Sequence, residues 1–283
     1  MNLDALPYTS FIVLVEFCVG SLLVCVIADW RGAVEASFTK FCAAMVAVGA
    51  AVLVLNALVL DPESAVGGYS LKDGALPWVQ ALSIVFLIST LPYNWYVLKG
   101  DRRWSAYTGV AALLAGMALI VVTAWYVSLP AWSFAGIFLS LAAGTIAVGA
   151  VVLAMTLGHW YLVTPRLPRE PLEEMTILLL AAIVLQALLL IFNVAFEPRD
   201  TPDAEAIFGS SSLGTNPAFW LRIGIGLLFP AALAWMAHVS SKGYPKNEMA
   251  MMSATGLLYI AVGAVLVGEV LARGLLFLTG VPV

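Results

Sequence analysis

The chain has 283 residues, 62% hydrophobic and 11% charged, with a mean hydropathy of +0.99. Soluble domains carry roughly 25% charged residues, so a water-soluble enzyme or binding module is excluded. A formal net charge of -4 and the lack of any Lys/Arg cluster exclude a nucleic-acid-binding surface as well.

A helix crosses the hydrocarbon with ~20 mostly apolar residues, whereas barrel strands are ~10 residues of alternating polarity. The apolar stretches here are of the first kind, and lipid offers a backbone no hydrogen-bond partner but itself, so each is helical. The predicted spans are 8–29, 41–60, 76–98, 105–128, 132–163, 173–196, 217–241 and 250–279. The expectation is an all-α integral membrane protein, one transmembrane domain over 1–283, built from helical hairpins.

The first span follows M-N-L-D-A-L-P, which has no positive n-region and no small-residue cleavage site, so it is expected to stay as a helix. It carries Glu16 inside F-I-V-L-V-E-F-C-V-G. A carboxylate at that depth costs on the order of 3 kcal/mol, so it is expected to face protein, water or a cation. Two readings stand: an outward-facing proton path or quinol pocket shared with Arg222, or a protonated Glu16 bonded across a helix contact. Cys18, Cys25 and Cys42, in or beside the first two spans, lack CxxC or metal-ligand spacing and read as buried apolar thiols.

The third span holds Pro92, expected to kink it, and ends in Asn94, Trp95 and Tyr96. Trp30, Trp95 and Trp160 lie 65 residues apart, each after a polar residue (Asp29, Asn94, His159) at the end of an odd-numbered span. This suggests a hairpin repeat, although interfacial tryptophan is common at helix ends.

The fifth span ends in L-G-H-W-Y-L-V-T-P-R-L-P. His159 precedes Arg166 by seven residues, placing it ~10 Å below the charge layer, and His238 in the seventh span precedes Lys242 by four, ~6 Å below. The spans run in the same direction, so the two imidazoles share a side and nearly a depth. Two axial histidines are what one b-type haem needs, and His159 and His238 are its candidate ligands. Beside Tyr161, Tyr96 or Asn94 the same histidines would suit a quinone headgroup, which needs donors to its carbonyls and a proton group of near-neutral pKa. The plain alternative is a neutral histidine bonded to a carbonyl near a helix end.

The sixth span carries Gln186 and Asn193, read as interhelical hydrogen-bond partners, as are Asn56 and Thr123. The 197–216 connection has four acids against one arginine, and either docks an external partner or is simply solvated. Arg222 opens the seventh span and Pro230 interrupts it. In the eighth, Glu269 and Arg273 sit at i, i+4 and are expected to pair. Small-residue runs such as S-L-A-A-G-T-I-A-V-G-A read as close helix packing.

Nine of the thirteen Lys and Arg residues lie in four alternate connections: Arg31, Lys40, Lys99, Arg102, Arg103, Arg166, Arg169, Lys242 and Lys246. By the positive-inside rule these connections are cytoplasmic, which puts both termini and the 197–216 loop outside, in a bacterial-type inner membrane. No phosphate loop, dinucleotide fingerprint or extramembrane domain is present, so nucleotide, c-type haem or iron–sulfur chemistry would belong to a partner.

The expected function is therefore an integral subunit of a membrane redox complex. It would anchor other subunits and exchange electrons with quinone, with or without one b haem, through His159, His238, Tyr161, Asn94, Glu16, Arg222 and Glu269. A small-molecule or ion transporter and a non-catalytic structural subunit are the alternatives. In helix number and in the outside placement of both termini the chain resembles the membrane anchors of molybdopterin oxidoreductases, a likeness of architecture that carries over no residue.

Overall fold

In a computed structural model describing residues 3–61, 65, 66, 69–128, 133–164, 167–195, 213–243 and 248–283, eight of the described helices are long and apolar enough to cross a membrane. They are α1 (Leu6–Arg31), α2 (Ala36–Val59), α3 (Leu76–Lys99), α4 (Arg102–Tyr126), α5 (Ser133–Val163), α6 (Glu170–Ala195), α7 (Pro217–Ser241) and α8 (Glu248–Thr279). The protein is thus an all-α, multi-pass membrane protein in contact with lipid. Two of the connections at the basic end, after α1 and after α3, carry their own stop signals. Gly32 (φ 61°) closes α1 by donating to the Ala28 and Asp29 carbonyls, and Gly100 (φ 74°) closes α3. The side chain of Asp101 accepts from the Trp104 amide to start α4. Arg166, Lys246 and the 197–212 part of the acidic connection lie outside the described residues.

Helices α1 to α4 pack in a closed ring, each against the next and α1 against α4, and α5 to α8 repeat that pattern. The two rings join through α1 and α5, with α8 also on α1 and α4 also on α5. Burial follows: the apolar windows of α1 and α5 are 72% and 78% buried, against 33–39% in the other six. The pattern recurs every four helices, so Trp30 and Trp160 close corresponding helices, whereas Trp95 closes the peripheral α3.

The α1/α5 contact is backbone on backbone. A Cβ added at Gly20 would lie 1.9 Å from the Thr145 carbonyl oxygen, and one at Gly149 would lie 2.1 Å from the Gly20 carbonyl carbon. Such approach is how transmembrane helices gain attraction where the lipid is as apolar as they are.

Two local features depart from the sequence reading. A short antiparallel hairpin, β1 (Ala65–Val66) and β2 (Tyr69–Ser70), follows α2. It seats the fully buried Tyr69 edge-on to Phe277 at 5.1 Å, with its hydroxyl donating to the Val127 carbonyl. In α7, Arg222–Leu228 is a π-helix, which widens the turn where Gly224 and Gly226 weaken the helix and Pro230 supplies no amide.

A buried four-charge cluster as the candidate functional site

The site forms in the half of the bundle away from the basic end. Glu16 lies ten residues into α1, Arg222 five into α7, and Glu269 and Arg273 ten and six before the end of α8. At 1.5 Å per residue these are depths of ~8–15 Å. All four are buried, with exposures of 1%, 2%, 0% and 1% in that order.

Arg273 is the hub. Its Nη2 lies 2.7 Å from Glu16 Oε1 and 3.1 Å from Glu269 Oε2, and its Nε donates to Glu16 Oε1 at 2.9 Å. The remaining fork is held by Ser140 of α5, whose Oγ accepts from Nη1 at 2.8 Å and whose carbonyl accepts from Nη2 at 3.1 Å. Glu269 Oε1 accepts from Gln186 of α6 at 2.6 Å and meets Arg222 Nη1 at 3.4 Å. Two guanidinium and two carboxyl groups from α1, α7 and α8 thus meet, with Ser140 of α5 and Gln186 of α6 as their neutral partners. A planar fork that donates in several directions is what lets one arginine serve three helices.

Gly144 makes the floor. A Cβ there would come within 2.6 Å of Glu16 Oε1 and 2.7 Å of both Arg273 Nη2 and Glu269 Oε2. These side chains are locked to one another and have nowhere to retreat. Gly144→Ala is therefore expected to lower stability by about 1–3 kcal/mol through overpacking, measured as a drop in thermal midpoint in detergent, while Gly263→Ala, which meets nothing within 4 Å, leaves it unchanged. Beside the cluster, Gly226 and Gly268 bring α7 and α8 together, a Cβ on Gly268 lying 2.5 Å from Gly226 Cα.

Not every polar atom is used. Glu16 Oε2 and Arg222 Nε are buried without a hydrogen-bond partner among the described residues. One is an acceptor and the other a donor, so the cluster has capacity to hold a further proton or polar group. A separate, almost wholly apolar cavity of about 330 Å³ lies between the N-terminal end of α7 (Asn216, Ala218) and α8 (Val270, Gly274, Leu278), and none of the four charged residues lines it.

Of the residues singled out from sequence, Glu16, Arg222 and Glu269 come together, but Glu16 pairs with Arg273 instead of Arg222. Arg273, Gln186, Ser140 and Gly144 complete the site. Sequence reasoning explained Arg273 by its neighbour on the same helix, Gln186 by generic helix packing, and Gly144 as one of many small residues. A run of small residues facing a helix that carries an acid was the available signal.

The histidines are arranged otherwise. His159 is exposed on α5, and its Nδ1 is 2.8 Å from the Tyr259 hydroxyl of α8. His238 is buried on α7 with Nδ1 3.1 Å from Thr176 Oγ1 of α6. In the ring α5–α6–α7–α8 these are opposite interfaces, so the shared side and depth do not become a facing pair. Helix periodicity fixes depth but not azimuth, and each imidazole meets a hydroxyl of a neighbouring helix through its Nδ1. Asn94 donates to the Thr90 carbonyl of its own helix at 3.0 Å. The Tyr161 hydroxyl donates to the Pro168 carbonyl and ties the end of α5 to the following turn. No protein-family model matches the chain, and no curated protein matches it.

Proposed function

We propose that the protein is the integral membrane subunit of a redox complex in a bacterial-type inner membrane, with the basic end cytoplasmic, and that the cluster on the opposite side handles protons in quinone chemistry. The observation that carries this is Glu16 Oε2, without a hydrogen-bond partner among the described residues and buried at membrane depth among charges that hold the carboxyl group in place. Intramembrane ionisable groups are expensive and are kept chiefly where they serve a path for ions or protons. A quinol bound within proton-transfer reach of the cluster would release two electrons to a partner subunit and two protons, one of them accepted first at Glu16. Arg273 keeps the carboxylate positioned until the proton moves on.

The test is quinol-linked electron transfer and proton release in membranes containing the complete complex, normalised to folded chain. Glu16→Gln is expected to slow both by about a hundredfold, the usual worth of a positioned proton acceptor, and Glu16→Asp to retain part of the rate. Unchanged turnover in Glu16→Gln removes this function and leaves the cluster as packing.

A second reading, a proton-coupled transporter, is favoured by one observation: the cluster borders the π-helical Arg222–Leu228 and Pro230, an interrupted helix at membrane depth. Proton-driven solute uptake by vesicles holding this chain alone, lost in Glu16→Gln, would select it over the redox reading.

A further inference from the structure

At the basic end the two four-helix rings leave unlike junctions. Where α5 meets α2 the space is filled: Trp160 packs against Phe38 and Phe41 with centroids 6.0 Å away, and its indole donates to Glu35 at 3.0 Å. Where α1 meets α6, the corresponding Trp30 is 75% exposed, and a groove of about 440 Å³ remains between the helices. Its walls are apolar, from Val24 and Ile27 of α1 to Met175, Leu178 and Ala181 of α6. Its mouth is charged: Arg31 Nη2 lies 2.7 Å from Glu174 Oε1, with the two side chains 52% and 45% exposed.

From Pro171 to Ala181 the groove follows ten residues of α6, so it runs ~15 Å from the headgroup level into the hydrocarbon. One polar end and one apolar slot describe an amphiphile. Lipid tails are as apolar as the walls, so filling the slot gains packing contacts but little selectivity. Selection falls to the mouth, where a cation and an anion stand side by side. A net-anionic headgroup would be repelled by Glu174, and an uncharged ring would use neither charge. A headgroup that carries both signs complements both residues, its phosphate on the Arg31 guanidinium and its ammonium on the Glu174 carboxylate.

We infer that the α1/α6 groove binds one phospholipid with a phosphate and a primary ammonium, of the phosphatidylethanolamine type, in the leaflet at the basic end. The ammonium must donate hydrogen bonds to Glu174, so a quaternary choline headgroup is a poor substitute. This inference is independent of the redox reading, because it concerns the opposite half of the bundle.

The full chain, reconstituted in nanodiscs of equal parts phosphatidylethanolamine, phosphatidylcholine and phosphatidylglycerol with added ubiquinone, is extracted gently and its retained lipid identified by native mass spectrometry. One phosphatidylethanolamine per chain is expected, enriched about fivefold or more over phosphatidylcholine, the discrimination that one charge-assisted hydrogen bond gives at a half-exposed site. Glu174→Gln should remove the preference for ethanolamine over choline, and Arg31→Gln should reduce retention of both. Both residues are half exposed, so the variants should keep the wild-type thermal midpoint. Retention in proportion to the membrane composition, preferential retention of phosphatidylglycerol or ubiquinone, or a preference that survives both substitutions would overturn the assignment.

Discussion

Arg273→Leu is expected to leave almost no folded protein. The substitution preserves bulk and helix propensity but removes the cation that Glu16 and Glu269 share, leaving two buried carboxylates with Arg222 as their only cation in the cluster. Breaking a buried pair by deleting one partner costs about 3–5 kcal/mol, a large share of the 5–15 kcal/mol that typically separates native from unfolded protein. Here two acids are affected at once. Adding Glu16→Gln should recover much of the loss, because Arg222 and Glu269 then remain as a neutral pair. The coupling between the two substitutions in a double-mutant cycle should be favourable by well over 1 kcal/mol. Monodisperse yield after detergent extraction and thermal midpoint are the readouts. A stable Arg273→Leu with wild-type yield would show that the acids are neutral in the folded protein and that the cluster is not held by charge.

Gly149→Leu is expected to be comparably damaging, for a different reason. A side chain at Gly149 meets the Gly20 backbone, at 2.1 Å from its carbonyl carbon and 2.6 Å from its Cα, and backbone cannot swing aside as a side chain would. The only relief is to separate α1 from α5, the contact that joins the two rings. In lipid the lost packing is not replaced by any hydrophobic gain. Gly149→Ala should already destabilise by about 1–3 kcal/mol, and Gly149→Leu should dissociate the rings, read as heightened protease cleavage between α4 and α5 and loss of the cooperative melt. Wild-type protease resistance in Gly149→Leu would contradict the close approach.

The spans were legible because bilayer thickness dictates their length: the predicted 217–241 and 76–98 compare with Pro217–Ser241 and Leu76–Lys99. Neighbour relations were not, since an all-round apolar helix shows little preference for one face. Glu16 stood out as an ionisable group in an apolar helix, but its partner is 257 residues away and no spacing rule reaches that far. Arg273 looked already explained by Glu269 one turn earlier. Conversely, His159 and His238 agreed in depth, and only their angular positions, invisible in a linear pattern, send them to Tyr259 and Thr176. The hairpin before α3 escaped notice because two-residue strands carry no alternation to detect.

The pairing of Glu16 with Arg273 also sets a timetable for biogenesis. The acid belongs to α1 and its counter-charge to α8, 257 residues later, so α2 to α7 must be inserted before the counter-charge arrives. Through that interval the growing polypeptide carries a lone acid in the bilayer, which the insertion machinery must shelter or which must enter as the neutral carboxylic acid. A chain that stalls before α8 would retain this mark, giving membrane quality-control proteases a chemical means of telling unfinished copies from finished ones.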